Sequence, residues 1–565
     1  MRFELDKPRG RSKDNTSLPS KERPLAEGLS GLASRTYGPE ETGFQGDMEE
    51  VQVEEYPHGF HLVSIIIALL LSIFLVSLDI TIIATAIPKI TDEFKGLDKV
   101  SWYGSAFLLA YGGFQPMWGR AFKYFPLKTC FLLTVVIFEI GSLLCGVAPN
   151  AEVLIVGRAI AGVGGAGVLT GAYIIAAFSA SPQKRPLLIG LIGVAYGVAS
   201  VIGPLIGGVF SDKVTWRWCF SINLPIGAIS CFIIIAFFHA PRAAKPVEAA
   251  LTEKIACLDP VGVMLLMGSV VSFILSMEYG GQKYDWDSSI VIGLLAGFVL
   301  ITGTFIAWEW LYGERAMLQG WVLKQRTVLV SSAFAFFFAG SFIVSIYYLP
   351  IYFQSISGAS AIESGVRNLP LIIALIVTAL LSGSIISTTG IATPIMVGSS
   401  MIALIGTSLI YTLDIGTSSG KWIGYQILAG LGWGMAYQVP VTVVQSSSSE
   451  QDVAEVTATV LFFQNLGGAF LQSAAQSAFV NVMKKTLATS APGIDPELVA
   501  MTGATQLRKT FDADELPGIL AGYMRGVKIT FALMIAATGM AVLIAPFAQW
   551  ERLKVKSNSV GGGGL

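Results

Sequence analysis

Fourteen apolar runs, each long enough to cross a bilayer and separated by short polar breaks, dominate this sequence. A hydrocarbon core takes about 20 helical residues, and runs of that length begin near Leu62, Trp102, Leu127, Val153, Leu187, Cys219, Leu258, Ser289, Val328, Gly365, Ile391, Trp422, Ala454 and Val527. Composition agrees. The chain is 53% hydrophobic and 13% charged, whereas a soluble domain carries about 25% charged residues, so too little polar surface is left to face water. The fold class that follows is an all-α polytopic membrane protein. The run from Ala454 is the least apolar, because Gln464, Asn465, Gln472 and Gln476 interrupt it. Amides spaced this way suit a helix that faces a cavity or a partner helix.

Lys and Arg in short loops set the orientation. One alternating set of connections carries Arg120, Lys123 and Lys128, then Lys184 and Arg185, then Arg242, Lys245 and Lys254, then Arg315, Lys324 and Arg326. The opposite set is poorer in bases and carries Asp92, Glu93, Asp98, Asp212, Asp285 and Asp287. The first set is therefore cytoplasmic, and with it both termini. Residues 1–60 have a disordered composition without a signal-peptide core, and the sequon at Asn15 falls in that cytoplasmic tail. The longest outer break is expected over 483–525, with a short surface helix over 496–511; the Gly561–Gly564 end is a flexible tail.

Other functional classes find no support. A net charge of −1 offers no footprint for nucleic acid. The five cysteines and three histidines (His58, His61, His239) have no metal, redox or triad spacing, and no GxxxxGK[ST] loop is present. The cysteines read as small buried thiols.

An internal repeat organises the rest. Arg158-Ala-Ile-Ala-Gly-Val-Gly matches Gln426-Ile-Leu-Ala-Gly-Leu-Gly at an offset of 268 residues, and the same offset places Asp79 on Tyr347. The reading is two related six-helix halves, 61–240 and 326–550, with an inserted pair, spans 7 and 8, after a cytoplasmic linker in 241–325; residues 551–565 form a cytoplasmic tail.

An ionisable side chain at bilayer depth costs at least a few kcal/mol unless paired or hydrated. Asp79 lies roughly 26 Å along span 1 from the cytoplasmic side, and Arg158 roughly 8 Å into span 4 from the outer side, so both reach a similar depth. A carboxylate beside a fixed guanidinium suits proton coupling; a static ion pair is the alternative. Glu139, roughly 18 Å into span 3, is a second protonatable candidate or a buried, hydrogen-bonded acid. The Gly203-Pro204-Leu-Ile-Gly207-Gly208 run follows Gly193, Ala195, Gly197, Ala199 and Ser200, and small residues allow close helix approach. It is expected to form a moving seam, or else ordinary tight packing. In the second half, Tyr347, Gln354, Gln426, Gln438, Gln445, Gln464, Asn465 and Gln472 are candidates for a cavity suited to amphipathic organic molecules.

At these residues the chain resembles the major facilitator superfamily, in particular its fourteen-spanner drug:proton antiporter branch. Leu78–Pro88, Leu154–Gly164 and Gly203–Gly208 are similar to the branch's first-, fourth- and fifth-helix motifs. Trp216–Pro225, Tyr348–Gln354, Ser364–Pro370 and Gly503–Arg508 extend the likeness toward efflux pumps of filamentous fungi. The resemblance implies a monomeric exporter of a toxin, secondary metabolite or drug. It would work by alternating access, driven by the proton gradient with no other cofactor, in the plasma or alternatively the vacuolar membrane. Asp79 and Arg158 would couple protons with help from Glu139, and Gly203, Pro204, Gly207 and Gly208 would be the antiporter motif. A proton-coupled importer of siderophores or vacuolar amino acids is the runner-up, and a non-transporting sensor the remote alternative. One departure stands out: the loop between spans 2 and 3 has Lys123 where the family carries an acid and Pro126 where it carries a Gly, which puts the charge latch attributed to that loop in doubt.

Overall fold

The computed structural model describes residues 56–57, 59–94, 100–241, 244–502 and 504–553. The expected disordered tail lies almost entirely outside these residues, as do Asn15, His58, Asp98, Arg242 and the Gly561–Gly564 end. Lipid offers no partner to backbone N–H and C=O groups, so crossing segments must satisfy them internally, as helices do. The described chain is accordingly helical, with one isolated bridge between Gly280 and Tyr284.

The spans are Gly59–Phe94 (1), Val100–Gly113 with Gln115–Tyr124 (2), Leu127–Gly146 (3), Ala151–Ser179 (4), Arg185–Lys213 (5), Trp218–Ser221 with Asn223–Phe237 (6), Pro260–Tyr279 (7), Ser289–Tyr312 (8), Arg326–Ser355 (9), Leu369–Thr389 (10), Thr393–Tyr411 (11), Ser419–Ala436 with Val439–Ser447 (12), Val453–Ser490 (13) and Leu516–Ile544 (14). Twelve described segments are long and apolar enough to cross a membrane. Spans 2 and 13 do not qualify on that measure, yet both are helical and packed among the others. Span 2 is interrupted at Phe114, and Pro116, which lacks an N–H, opens its second segment. Span 13 carries the amides noted above and is packed against spans 9, 14, 2 and 7.

Two boundaries differ from the sequence expectation. The outer break is 491–515, not 483–525, because helical hydrogen bonding outlasts the apolar stretch. Lys484 at the end of span 13 pairs with Glu497 at 2.7 Å, and Ser490 donates to the Gly518 carbonyl at 2.8 Å. The expected single surface helix is two short ones, Pro496–Met501 and Leu507–Thr510.

Helix pairing repeats between the halves. Span 1 packs on 5 and 6, span 4 on 2 and 3, and span 3 on 6; the same pattern recurs as 9 on 13 and 14, 12 on 10 and 11, and 11 on 14. The halves meet where span 5 lies on span 10 and span 2 on span 13, two contacts that exchange when the halves exchange. The inserted pair leans on span 13 through Phe273, which stacks on Phe470 at 4.2 Å and 8°. Span 8 leaves Val299, Leu300, Ile306, Trp310 and Leu311 exposed, as a lipid-facing helix should.

Small residues set the tightest crossings. A Cβ at Gly164 would sit 2.2 Å from the Phe138 backbone nitrogen, so spans 3 and 4 touch backbone to backbone there. The glycines of span 5 divide by helical face. Gly190, Gly193 and Gly197 meet Ala379, Gln438 and Ile376 of the other half, while Gly203 and Gly207 meet Thr81 and Thr85 of span 1; Gly208 has nothing within 4 Å. Six residues turn a helix by about 240°, so the step from 197 to 203 changes face. The seam between halves is therefore upstream of the Gly203–Gly208 run, and that run packs within its own half.

Gly164→Ala should lower the thermal stability of the purified protein by about 1–3 kcal/mol through overpacking. Gly293→Ala in span 8, with open space around it, should be neutral. Unfolding in detergent followed by intrinsic fluorescence distinguishes the two.

Candidate functional site

Asp79 and Arg158 come together. Their side chains are 0% and 1% exposed and form an ion pair through Arg158 Nη1 and Asp79 Oδ2. Arg158 Nε donates to the Tyr103 carbonyl at 2.9 Å, and the guanidinium lies over the rings of Phe107 (4.5 Å) and Phe220 (5.7 Å). Asn223 Nδ2 donates to the other carboxylate oxygen of Asp79 at 3.3 Å and to Ser142 Oγ at 3.1 Å. Five helices of the first half thus converge on one carboxylate. A buried pair of this kind is held only where geometry is good and remaining hydrogen-bonding capacity is met; the carbonyl, the amide and the ring faces meet it here.

Glu139 stands apart from this pair. Its buried carboxyl oxygens have no hydrogen-bond partner and press on Gly227 of span 6. Chain direction places this contact one turn closer to the Arg120 end of the bundle than the Ser142–Asn223 bond. Span 3 runs away from that end from 139 to 142, and span 6 runs toward it from 223 to 227.

The second half keeps the architecture without the charge. Gln426, fully buried at the position matched to Arg158, donates through Nε2 to the Arg367 carbonyl at 3.0 Å, much as Arg158 donates to the Tyr103 carbonyl. Tyr347, matched to Asp79, is 47% exposed. Gln354 donates to Ser364 Oγ at 2.8 Å. Gln354 and Gln426 therefore bond within the second half, whereas Gln438 and Asn465 bond across the boundary between halves, and Gln464, next to Asn465 on span 13, is buried with its Oε1 unpartnered. Tyr173 OH donates to Gln438 Oε1 at 2.8 Å, and Asn465 Nδ2 donates to Gln115 Oε1 at 2.9 Å. Tyr437, beside Gln438, packs on Phe342 at 5.3 Å.

The end with the basic loops is latched. Arg120, 1% exposed, pairs with Glu455 of span 13, donates through Nε to the Cys257 carbonyl at 3.3 Å and through Nη2 to the Glu314 carbonyl at 2.6 Å. Lys123 reaches Glu455 at 2.7 Å and Asp452 at 3.3 Å. The doubt raised by the loop sequence meets partners 329 to 335 residues away: the positive charges are kept and the acids come from the other half. Ser387 bonds the Gln183 carbonyl, and Gln445 Nε2 donates to the Tyr173 carbonyl at 3.2 Å. With these contacts in place the two halves are tied together at the end that carries the basic loops. Sequence reasoning missed Asn223, Ser142, Asp452 and Glu455. Acids at the entry of span 13, on the side otherwise rich in bases, were the available signal for the last two.

Replacing Arg158 with Leu leaves a buried carboxylate unpaired and should cost about 3–5 kcal/mol of stability. Adding Asp79→Asn to that variant should restore part of the loss, and thermal unfolding of both proteins in one detergent measures the recovery.

The Major Facilitator Superfamily profile matches residues 69–471. The chain is 55% identical over 505 residues to the MFS-type transporter grgE of Penicillium sp, covering 89% of each chain. It is 47% identical over 513 residues to the probable efflux pump gsfJ of Penicillium aethiopicum, covering 91% of this chain and 92% of that one. Among solved structures it resembles the proton:xylose symporter XylE bound to 6-bromo-6-deoxy-D-glucose, with a TM-score of 0.58 at 12% identity over 87% of this chain and 98% of that one. The repeated helix pairing, the buried first-half ion pair and these likenesses agree: the chain belongs to the major facilitator superfamily.

Proposed function

We infer that this transporter exports a small organic molecule by alternating access in exchange for protons. The buried Asp79–Arg158 pair within one half carries the reading, supported by relatives of 47% and 40% identity that bear the names probable efflux pump gsfJ and efflux pump notK. The exporter works as one chain, which supplies both halves, and resides in the plasma membrane.

Asp79 takes up a proton when the outer side of the site is hydrated. Neutralising the carboxylate removes the charge that holds Arg158, and the guanidinium, still tied to the Tyr103 carbonyl and stacked on Phe107, is free to re-pair. Phe107 stacks on Tyr111 at 5.6 Å and 19°, so movement of Arg158 is felt in the helix that lines the half boundary. Glu139 receives the proton one turn nearer the cytoplasm. The cytoplasmic latch opens in the alternate state, and Arg120 and Lys123 then exchange Glu455 and Asp452 for water. Gly203 and Gly207, packed on span 1 two and six residues beyond Asp79, let span 5 follow the change without a side chain in the way.

In vesicles with an imposed pH gradient, Asp79→Asn should abolish gradient-driven substrate movement while leaving the protein folded. Unchanged exchange in that variant would remove Asp79 from the mechanism. Glu139→Gln should slow exchange and shift its pH profile rather than abolish it.

A further inference from the structure

Away from the charged latch, the side chains that bond to one another across the boundary between the halves are a phenol and amides. Tyr173 of span 4 holds Gln438 of span 12, and Gln115 of span 2 holds Asn465 of span 13, so both bonds join the first half to the second. Gln438 also lies 3.4 Å from where a Cβ at Gly193 of span 5 would be. The charged groups nearby are engaged elsewhere: Arg120 pairs with Glu455 at the latch, Asp79 and Arg158 pair with each other roughly 22 Å along span 4 from Tyr173, and Glu139 faces Gly227. A charged solute moved into such a place would lose its hydration and gain no counter-charge, a cost of several kcal/mol. A neutral one would exchange hydrogen bond for hydrogen bond.

The same groups are incompletely satisfied. Gln115 is fully buried and its Nε2 donor has no partner; Gln464 is 5% exposed and its Oε1 acceptor has none. An unpaired buried donor and acceptor each cost free energy, and a solute offering one acceptor and one donor relieves both. Ring surface is at hand as well: Phe342 packs edge-on against Tyr437 at 5.3 Å and against Trp433 at 5.6 Å.

We propose that the solute is carried uncharged, as a ring-bearing molecule with both hydrogen-bond donors and acceptors, held between the halves by Tyr173, Gln438, Gln115, Gln464 and Asn465. Loading replaces the Tyr173–Gln438 and Gln115–Asn465 bonds with bonds to the solute, which ties occupancy to separation of the halves. The proposal rests on the exporter reading for its place in a transport cycle, but binding itself needs no gradient.

The test is equilibrium binding to the purified full-length protein in detergent, followed by tryptophan fluorescence. The probes are three neutral hydroxylated ring compounds (resveratrol, estradiol, podophyllotoxin), the cation tetraphenylphosphonium and the anion naphthalenesulfonate. At least one neutral probe should bind and both ions should not. Gln438→Leu and Gln464→Leu should each weaken the neutral probe about five- to tenfold; if one variant fails to fold, the other gives the same reading. Gln438→Glu should admit tetraphenylphosphonium, because it supplies the missing counter-charge. Gly293→Ala, in open space on span 8, should bind the neutral probe as well as the wild type does. Failure of all three neutral probes to bind, or tighter binding of either ion by the unmodified protein, overturns the proposal and leaves the exporter reading standing. Neutral binding with no proton-driven exchange would do the reverse.

Discussion

A carboxylate and a guanidinium taken out of water each carry a desolvation penalty of several kcal/mol, which only their mutual attraction and a full set of hydrogen bonds can offset. The Asp79–Arg158 pair imposes that condition on the first half of this protein. It fixes spans 1 and 4 by charge, span 2 through the Tyr103 carbonyl, and spans 3 and 6 through Ser142 and Asn223. The glycines that bring spans 3 and 4 into backbone contact, and spans 1 and 5 likewise, allow helices to come close enough for those side chains to meet. Packing and electrostatics are therefore one problem here. Loosening the glycine contacts would lengthen the bonds, and removing the charge would leave the close packing around a hole in the hydrogen-bond pattern.

The second half solves the same geometry without ions. Gln426 reaches a backbone carbonyl from the place of Arg158, and Tyr347 stands exposed in the place of Asp79. The first half carries an ion pair buried within itself, and the second has neutral polar groups at the matched positions. The end with the basic loops then joins the halves by a different device, with bases from the first half on acids from the second and the carbonyls of Cys257 and Glu314 filling out the Arg120 guanidinium. Those two carbonyls come from the segments that bracket the inserted pair, so spans 7 and 8 are fastened to the latch as well as to span 13.

The fold was legible because lipid permits so few solutions: an apolar run of the right length has to be a helix, and a charge within one has to find a partner. That logic located Asp79 and Arg158 from cost and depth alone. It could not locate Asn223 or Ser142, since neutral polar residues occur throughout these helices and nothing local marks the pair that touch. Glu455 was hidden for another reason. Its partner Arg120 lies in the other half, and only the docking of halves joins them. Hydropathy also hid the true ends of span 13, whose helix continues on polar residues to Ser490, and the break in span 2, where Pro116 acts within an apolar run. The Gly203–Gly208 run signals close approach of small residues without saying to what; the face on which they fall decides, and it points to span 1.

The central claim is that Asp79 is the group whose charge changes as the protein switches sides. Infrared difference spectroscopy of the reconstituted protein, stepping the pH and subtracting the Asp79→Asn spectrum, observes that carboxyl directly. The account predicts a protonated-carboxyl C=O band that appears on acidification in the wild type and is missing from the variant. A carboxylate signature from Asp79 that stays constant across the whole pH range at which exchange runs would contradict it.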